Sequence, residues 1–281
     1  MAKRRQKLAP EYDLDIIIPV YGQSDLLAKC LASIEATKGD IKARLILVDD
    51  CGPEQDKLKL VYQSLNGNST LIRNSQNSGF AYTCNTGVNR GNAPLILLLN
   101  SDVELKPGCL QAMVSEFDNP DVGIVGPKLL FGDNRWQHAG KVQHAGIAVN
   151  WYGQHIHVNL GWSTDHPKVN QRREMAAVTG ACLMIRRKIW KEIHAQYRSF
   201  DDPTTGALNE IYTKGCFEDL ELCYAVRAVG YKVVYQPQAE ALHYVGASVT
   251  AAKEAYPIQR NGNIFQARCG HLLAFDEWMY T

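Results

Sequence analysis

Short continuous apolar runs alternate along the first half of the chain with stretches whose apolar positions recur every three or four residues. Leu14-Asp15-Ile16-Ile17-Ile18-Pro19-Val20 is a β-branched run closed by a turn at Tyr21-Gly22, so a buried strand is expected there. Leu26, Leu27, Cys30, Leu31 and Ile34 then share one helical face, with Ser24 placed to cap that helix. Leu45-Ile46-Leu47-Val48 reads as a second strand, Leu58, Val61 and Leu65 as the core face of a second helix, and Thr70-Leu71-Ile72 as a third strand. A helix near residues 81–90 leads to the most apolar run of this half, Leu95-Ile96-Leu97-Leu98-Leu99. Strand–helix alternation of this kind implies a parallel, doubly wound α/β sheet.

The second half is less regular. Pro107 suits the first turn of a helix whose core face is Leu110, Met113, Val114 and Phe117, and Val122 to Gly126 is a further strand. Residues 131–172 are rich in His, Trp, Gly and Asn and include His138, His144, His155, His157 and His166. Loop histidines are more often structural than ligating, and that reading is kept for all five. Gln137-His138-Ala139-Gly140 and Gln143-His144-Ala145-Gly146 form a short internal duplication. Val178 to Arg187 reads as a buried strand ending in basic residues, Phe217 to Cys223 as the start of a helix ending near Gly230, and Tyr231 to Tyr235 as a strand. Phe265, Leu272, Leu273 and Trp278 suggest a terminal helix that docks on the domain or on a partner.

Chemistry enters at the strand ends. Asp49 and Asp50 follow one strand, and Asn100-Ser101-Asp102 follows another. In a parallel α/β sheet the carboxyl edge is where ligands bind. Clustered carboxylates there need a cation, a proton or hydroxyl groups between them. Neither a Gly-x-x-x-x-Gly-Lys-Ser/Thr loop nor a Gly-x-Gly-x-x-Gly follows the first strand, which argues against an NTPase or a dinucleotide enzyme. Acids in place of glycine-rich loops favour a phosphate-bearing ligand held through a hard divalent metal.

Composition narrows the class. The chain has 281 residues, 46% hydrophobic and 21% charged, with a net charge of +1, which argues against nucleic acid as the main partner. Its eight cysteines include no Cys-x-x-Cys pair, and several fall in apolar segments, as free thiols in a reducing, cytoplasmic compartment do. No apolar run approaches a membrane span, and the basic start lacks the core of a signal peptide. That start is read as a solvated tail, with a peripheral contact to anionic lipid at the inner face of a membrane as an alternative.

Four segments occur in order: Ile16 to Tyr21, Val48-Asp49-Asp50, Asn77-Ser78-Gly79-Phe80 with Asn85-Thr86-Gly87, and Leu99 to Val103. Together they resemble the successive motifs of the family 2 glycosyltransferases, closest to the bacterial rhamnosyltransferase-like branch, over roughly residues 13 to 245. The resemblance implies an α/β GT-A fold, with a Rossmann-like, mainly parallel sheet flanked by helices and a smaller acceptor-side subregion. It divides the chain into a basic tail (1–12), a nucleotide-sugar-binding half (13–105), an acceptor-binding half (106–248) and a C-terminal helical extension (249–281). Pro19, Tyr21, Asp49, Asp50, Asn77, Gly79, Asn85, Asn100 and Ser101 would then contact a UDP-, dTDP- or GDP-linked sugar, and Gly79 and Gly87 would let the nucleotide approach the backbone. Asp102 and His243 would hold Mn²⁺ or Mg²⁺. Glu218 and Asp219 would be the catalytic acids, with Asp219 as general base. Gly180, Ala181 and Trp151 would face a glycan or lipid-linked acceptor.

Two positions depart from the pattern. Asn100 stands where relatives often have an acid, leaving one anionic metal ligand, and Cys84 stands where many have arginine. The expected activity is inverting transfer of a hexosyl or deoxyhexosyl group to an acceptor hydroxyl. The competing readings are a non-catalytic nucleotide-sugar or glycan-binding protein and a nucleotidyltransferase, the latter disfavoured because the chain lacks a triphosphate loop.

Overall fold

The computed structural model describes residues 11–65, 67, 69–133, 138–198, 202–244 and 257–280. The basic start (residues 1–10) and Gln137 of the duplicated segment therefore lie outside the described residues, as does the side chain of Trp278.

The alternation expected of the first half is present. Strands β1 (Leu14–Val20), β2 (Ala43–Asp49), β3 (Ser69–Arg73) and β4 (Leu95–Leu99) are joined by helices α1 (Ser24–Thr37), α2 (Gln55–Gln63) and α3 (Phe80–Arg90). β5 (Val103–Leu105), α4 (Cys109–Ser115), β6 (Val122–Phe131), β7 (Val142–His144), β8 (Ile147–Val149), β9 (His155–His157) and β10 (Arg173–Glu174) follow. β11 (Cys182–Arg186), α5 (Arg187–Arg198), α6 (Glu218–Ala228), β12 (Lys232–His243) and α7 (Ile258–Cys269) complete the order.

The main sheet runs β10-β12-β6-β11-β4-β1-β2-β3, with β5 added beside β12 and β7 beside β6. Pairings among β4, β1, β2 and β3 are parallel, as is β12 with β6. β11 lies antiparallel between β4 and β6. The two-residue period of the strands splits the core into two layers. Ile17, Ile46, Ile96 and Leu98 face one layer, to which α3, α5, α6 and α7 contribute Val88, Trp190, Leu222 and Phe265. Ile16, Ile18, Leu45, Leu47, Leu97 and Leu99 face the other, where α1, α2 and α4 contribute Leu27, Leu58 and Leu110.

Three local expectations are corrected. Ser24 is the first residue of α1 rather than its cap: Gln23 is the left-handed cap residue, and the Ser24 N–H donates to Glu54 Oε2 at 2.9 Å. A carboxylate from another loop thus satisfies the orphan amide. Within the 178–187 segment only Cys182–Arg186 is strand, and Arg187 opens a helix. The amphipathic spacing of Ile189, Trp190, Ile193 and Tyr197, all buried, accounts for that helix. Gly87 is a packing glycine rather than a ligand contact, because a Cβ there would stand 2.5 Å from Ile17 Cγ2.

A buried ion cluster braces the sheet edge opposite the site. Asp15, fully buried, accepts from Arg44 Nε at 2.8 Å, from Arg187 Nη2 at 2.7 Å and from the Ala93 N–H at 2.8 Å. Removing one member strands a buried charge, which typically costs about 3–5 kcal/mol. Asp15→Ala is therefore expected to lower unfolding free energy by about that amount in urea titration; a loss below about 1 kcal/mol would show the cluster to be dispensable.

Candidate active site

The site forms where β4 ends. The Asn100 N–H donates to the Ala181 carbonyl at 2.9 Å, which ties the β4 terminus to the start of β11. One residue earlier, the Gly180 N–H donates to Asp219 Oδ2 at 2.7 Å. A Cβ on Gly180 would come within 3.1 Å of the Asp219 Cβ, a tight contact that glycine relieves. The Asn100–Asp102 strand end, Gly180, Ala181 and Asp219 are thus brought together.

Asp219 and Glu218 are the first residues of α6. Asp219 also accepts from its neighbour's amide, Leu220 N–H, at 2.9 Å, and each oxygen keeps a lone pair. Burial raises Asp219 above the usual carboxylate range despite these amides. Glu218 is buried, and burial followed by repulsion from Asp219 pushes it up to about 8. Its Oε2 has no hydrogen-bond partner. Both members are raised, and titration is shared within such a pair, whose mutual repulsion disfavours two charges at once.

Asp102 and His243 also meet. β12 pairs antiparallel with β5, placing His243 opposite Val103, and the Tyr244 N–H donates to the Asp102 carbonyl at 3.0 Å. His243 Nε2 lies 3.4 Å from Asp102 Oδ1, a buried oxygen with no hydrogen-bond partner. Gln143 Oε1 sits 3.0 Å from His243 Nδ1. With the ring proton on Nδ1, the Nε2 lone pair faces Asp102 Oδ1, and two facing lone pairs call for a proton or a cation. The donor set, one carboxylate and one imidazole whose other nitrogen is held by an amide oxygen, suits a divalent metal. Among the described residues no three His, Cys, Asp or Glu side chains converge to hold a metal. Asn100 Oδ1 is a further buried oxygen without a partner. Gln143 was not anticipated. Its signal was the alternation of β7, which sends the neighbouring His144 into the core and Gln143 toward His243.

The acids at the end of β2 are occupied within the chain. Asp49 pairs with Arg73 and accepts from the Gly52 N–H at 2.8 Å. Asp50 accepts from Asn74 Nδ2 at 2.9 Å and from the Ser78 and Gly79 N–H groups at 2.8 Å each. It thereby shapes the loop that holds exposed Asn77. Gly79 has φ +87°, and a Cβ there would lie 2.8 Å from the Lys214 amide nitrogen, so glycine is needed on both counts. Pro19 and Tyr21 are half-buried at the end of β1, and Ser101 is buried.

Two expected contacts are not brought to this edge. Asn85 is fully buried, donating to the Leu208 carbonyl at 2.8 Å and Glu210 Oε1 at 2.7 Å while accepting from the Leu208 N–H at 3.2 Å. It is a clip on the 204–210 loop. Trp151 stands 72% exposed at the β8–β9 turn, stacked on Phe275 at 5.9 Å rather than on either acidic cluster. Cys84 is fully buried and belongs to the core. His144 is also buried, well below its ordinary pKa through desolvation, with Nδ1 3.0 Å from His157 Nδ1, a structural role consistent with the reading kept for the loop histidines.

A mixed, mostly parallel sheet with acids at its carboxyl edge and an acid pair on an adjoining helix is the layout of a GT-A glycosyltransferase fold. The chain superimposes on GalNAc-T7 in complex with UDP, GalNAc and Mn²⁺ with a TM-score of 0.65 at 16% identity, covering 83% of this chain and 44% of that one. It superimposes on the mannosyltransferase PcManGT from Pyrobaculum calidifontis, in complex with GDP-Man and Mn²⁺, with a TM-score of 0.55 at 14% identity, covering 86% and 61%. These likenesses establish the fold. The sequence profile of Glycosyl transferase family 2 matches residues 15–193, and the chain belongs to that family. It is 28% identical to the O-antigen biosynthesis protein RfbC of Myxococcus xanthus over 84% of its own length, while spanning only 17% of that protein.

Glu218 yields a stability prediction. Its pKa is higher in the fold than in the unfolded chain, where a glutamate titrates near ~4.3. The folded state therefore binds the extra proton between those values, and stability falls as pH rises from roughly 4.3 to about 8. Glu218→Gln removes that loss. Its melting temperature is expected to exceed that of the parent at pH 8.5, by about 2–4 °C per kcal/mol relieved, and to approach it at pH 5. Equal shifts at both pH values would show that Glu218 ionises normally.

Proposed function

We propose that this domain is an inverting, metal-dependent glycosyltransferase that moves a hexosyl or deoxyhexosyl group from a nucleoside-diphosphate sugar to a hydroxyl of a glycan or lipid-linked acceptor. The observation that carries the reading is the junction at Gly180 and Ala181, which sets the Asp219 carboxylate beside the strand end bearing Asn100 and Asp102. Family membership supports the reaction class.

Asp219 is the general base. Raised by burial yet held by the Gly180 and Leu220 amides, it accepts the acceptor hydroxyl's proton as that oxygen attacks the anomeric carbon from the face opposite the diphosphate. Glu218, raised by burial and by its neighbour, shares protons with Asp219 and limits the charge the pair carries. Asp102 and His243 would hold Mn²⁺ or Mg²⁺, with Gln143 fixing the His243 tautomer. When bound, the metal supplies charge neutralisation for the leaving diphosphate. With two protein ligands, its affinity in the absence of a nucleotide is weak. Residues 13–105 form the donor half, through Pro19, Tyr21, Asp49, Asp50, Asn77, Gly79, Asn100 and Ser101, and residues 106–248 the acceptor half. Mn²⁺ beside UDP in one structural neighbour and beside GDP-Man in another supports both metal and donor class. Polysaccharide assembly is the setting suggested by the O-antigen relative. Eight free cysteines, six of them buried, support a reducing compartment, and no described helix is long and apolar enough to cross a membrane.

Two measurements test this. In a thermal-shift panel of UDP-, dTDP- and GDP-sugars with Mn²⁺, one nucleotide class is expected to raise the melting temperature in a concentration-dependent manner, and Asp102→Ala to abolish the Mn²⁺-dependent part. Binding without turnover on any glycan acceptor would instead indicate a non-catalytic binding protein. Asp219→Asn should lower turnover by about 10²–10⁴-fold with donor affinity within about twofold of the parent. Full turnover in that variant would remove Asp219 as the base.

A further inference from the structure

The backbone leading into the Glu218–Asp219 pair is left-handed at four consecutive residues. Lys214 has φ +64°, Gly215 +128°, Cys216 +75° and Phe217 +79°. Three of these are not glycine. Such conformations cost of order 1–3 kcal/mol each and persist only where the surroundings over-determine them. The last of the four, Phe217, is the cap residue of α6, so the run sets the direction in which Glu218 and Asp219 leave the loop.

Most of what holds this run comes from α7, far along the chain. Asn261 is fully buried, and its Nδ2 lies 2.8 Å from the Gly215 carbonyl, 3.2 Å from that of Thr213 and 3.4 Å from that of Cys216. Arg260 Nη1 reaches the Ile211 carbonyl at 3.0 Å and Thr213 Oγ1 at 3.3 Å. Gly262 lets the helix approach Phe217, whose ring packs on Phe265 at 5.7 Å. From the opposite side, Gly79 abuts the Lys214 backbone. One turn into α6, Glu221 is gripped by Arg268 of α7 at 3.0 Å, by Tyr212 at 2.5 Å and by Asn209 at 2.9 Å. α7 therefore holds both the loop before the acid pair and the first turn after it. Apart from Gly79, these groups lie beyond the family match, which ends at residue 193.

We propose that α7 is part of the catalytic unit and that Asn261 is a positioning residue for Asp219, fixing the left-handed run so that the carboxylate stays on the Gly180 amide. This rests on Asp219 being the general base. A fully buried amide shared among three carbonyls of one strained loop has a narrow effect: its loss lets the loop relax and turns the head of α6 away from Gly180. A misplacement of about 1 Å costs on the order of 10²-fold in rate. Asp49 and Asp50 have their own partners in Arg73, Asn74 and the Ser78 and Gly79 amides, none of which Asn261 touches.

The test is a double-mutant cycle between Asn261→Ala and Asp219→Asn. It is read as release of UDP, dTDP or GDP from whichever donor gives the Mn²⁺-dependent thermal shift. Asn261→Ala should lower kcat by about 10–100-fold with donor KM within about twofold. In the Asp219→Asn background it should change kcat by less than about twofold, because the group it positions is already gone. Arg260→Ala removes exposed contacts to the same loop and the donor to Asn261 Oδ1 at 2.9 Å, on an exposed side chain at less risk to folding. It should show the same pattern at smaller size, and it carries the cycle should Asn261→Ala fail to fold. An equal fold-loss in both backgrounds, or a loss confined to KM, overturns the positioning role while leaving Asp219 as base. Full turnover in Asp219→Asn alone overturns the base assignment, and the positioning role with it.

Discussion

Two adjacent peptide groups, at Gly180 and Ala181, hold the functional edge together. The Ala181 carbonyl binds the end of β4 and the Gly180 amide binds the Asp219 carboxylate, so one turn of backbone joins a strand terminus to a helix terminus. The antiparallel insertion of β11 makes this geometry available. A parallel strand in that place would begin at the amino edge of the sheet, far from where β4 delivers Asn100 to Asp102. Running the other way, β11 starts where β4 ends. The head of α6 favours an anion by at most about 2 kcal/mol. Desolvation outweighs it, since Asp219 and Glu218 are both raised rather than lowered. The fold thus holds carboxylates here at a cost in their charged form, the condition a general base near neutral pH requires.

The acids of this chain fall into two kinds. Asp15 is matched by Arg44, Arg187 and an amide, Asp49 by Arg73 and an amide, and Asp50 by three donors. These carboxylates shape loops and brace the sheet. Asp102 and Glu218 are different, because each keeps a buried oxygen without a partner. An unpaired buried acceptor costs roughly 1–3 kcal/mol. Both unmatched acids sit at the one edge where a ligand could satisfy them.

Legibility in the sequence follows the range of the interactions. Strands β1 to β4 and their helices were readable because each is announced by its own apolar period, and the strand-end acids followed from that register. The strand reading of Val178 to Arg187 overruns β11 and leaves α5 unread, because Ile185-Arg186-Arg187 carries no break and the end of the strand is set by its partners β4 and β6. Ser24 looked like a cap because the competing carboxylate, Glu54, comes from another loop. Asn85 lies in a segment that matches a ligand-binding pattern, yet the 204–210 loop, more than a hundred residues on, takes both of its amide groups. Nothing local marks Asn261, a polar residue on a mostly polar helix, or the left-handed run that it clamps, where Lys214, Cys216 and Phe217 are unexceptional residue types.

Asn100 follows from the same electrostatics. Its carbonyl oxygen is buried and unpartnered two residues before Asp102, whose Oδ1 is also unpartnered. A second carboxylate at that position would repel Asp102 in a desolvated setting until a cation arrived. One of the two would then have to take up a proton, or the strand end would have to open. The neutral amide offers an oxygen of similar reach without that repulsion, so the β4 terminus can fold with no cation between its side chains. His243 beside Asp102 likewise adds no negative charge to this edge. Under the proposed function, the single carboxylate would leave most of the charge complementarity toward a cation to the phosphate-bearing ligand.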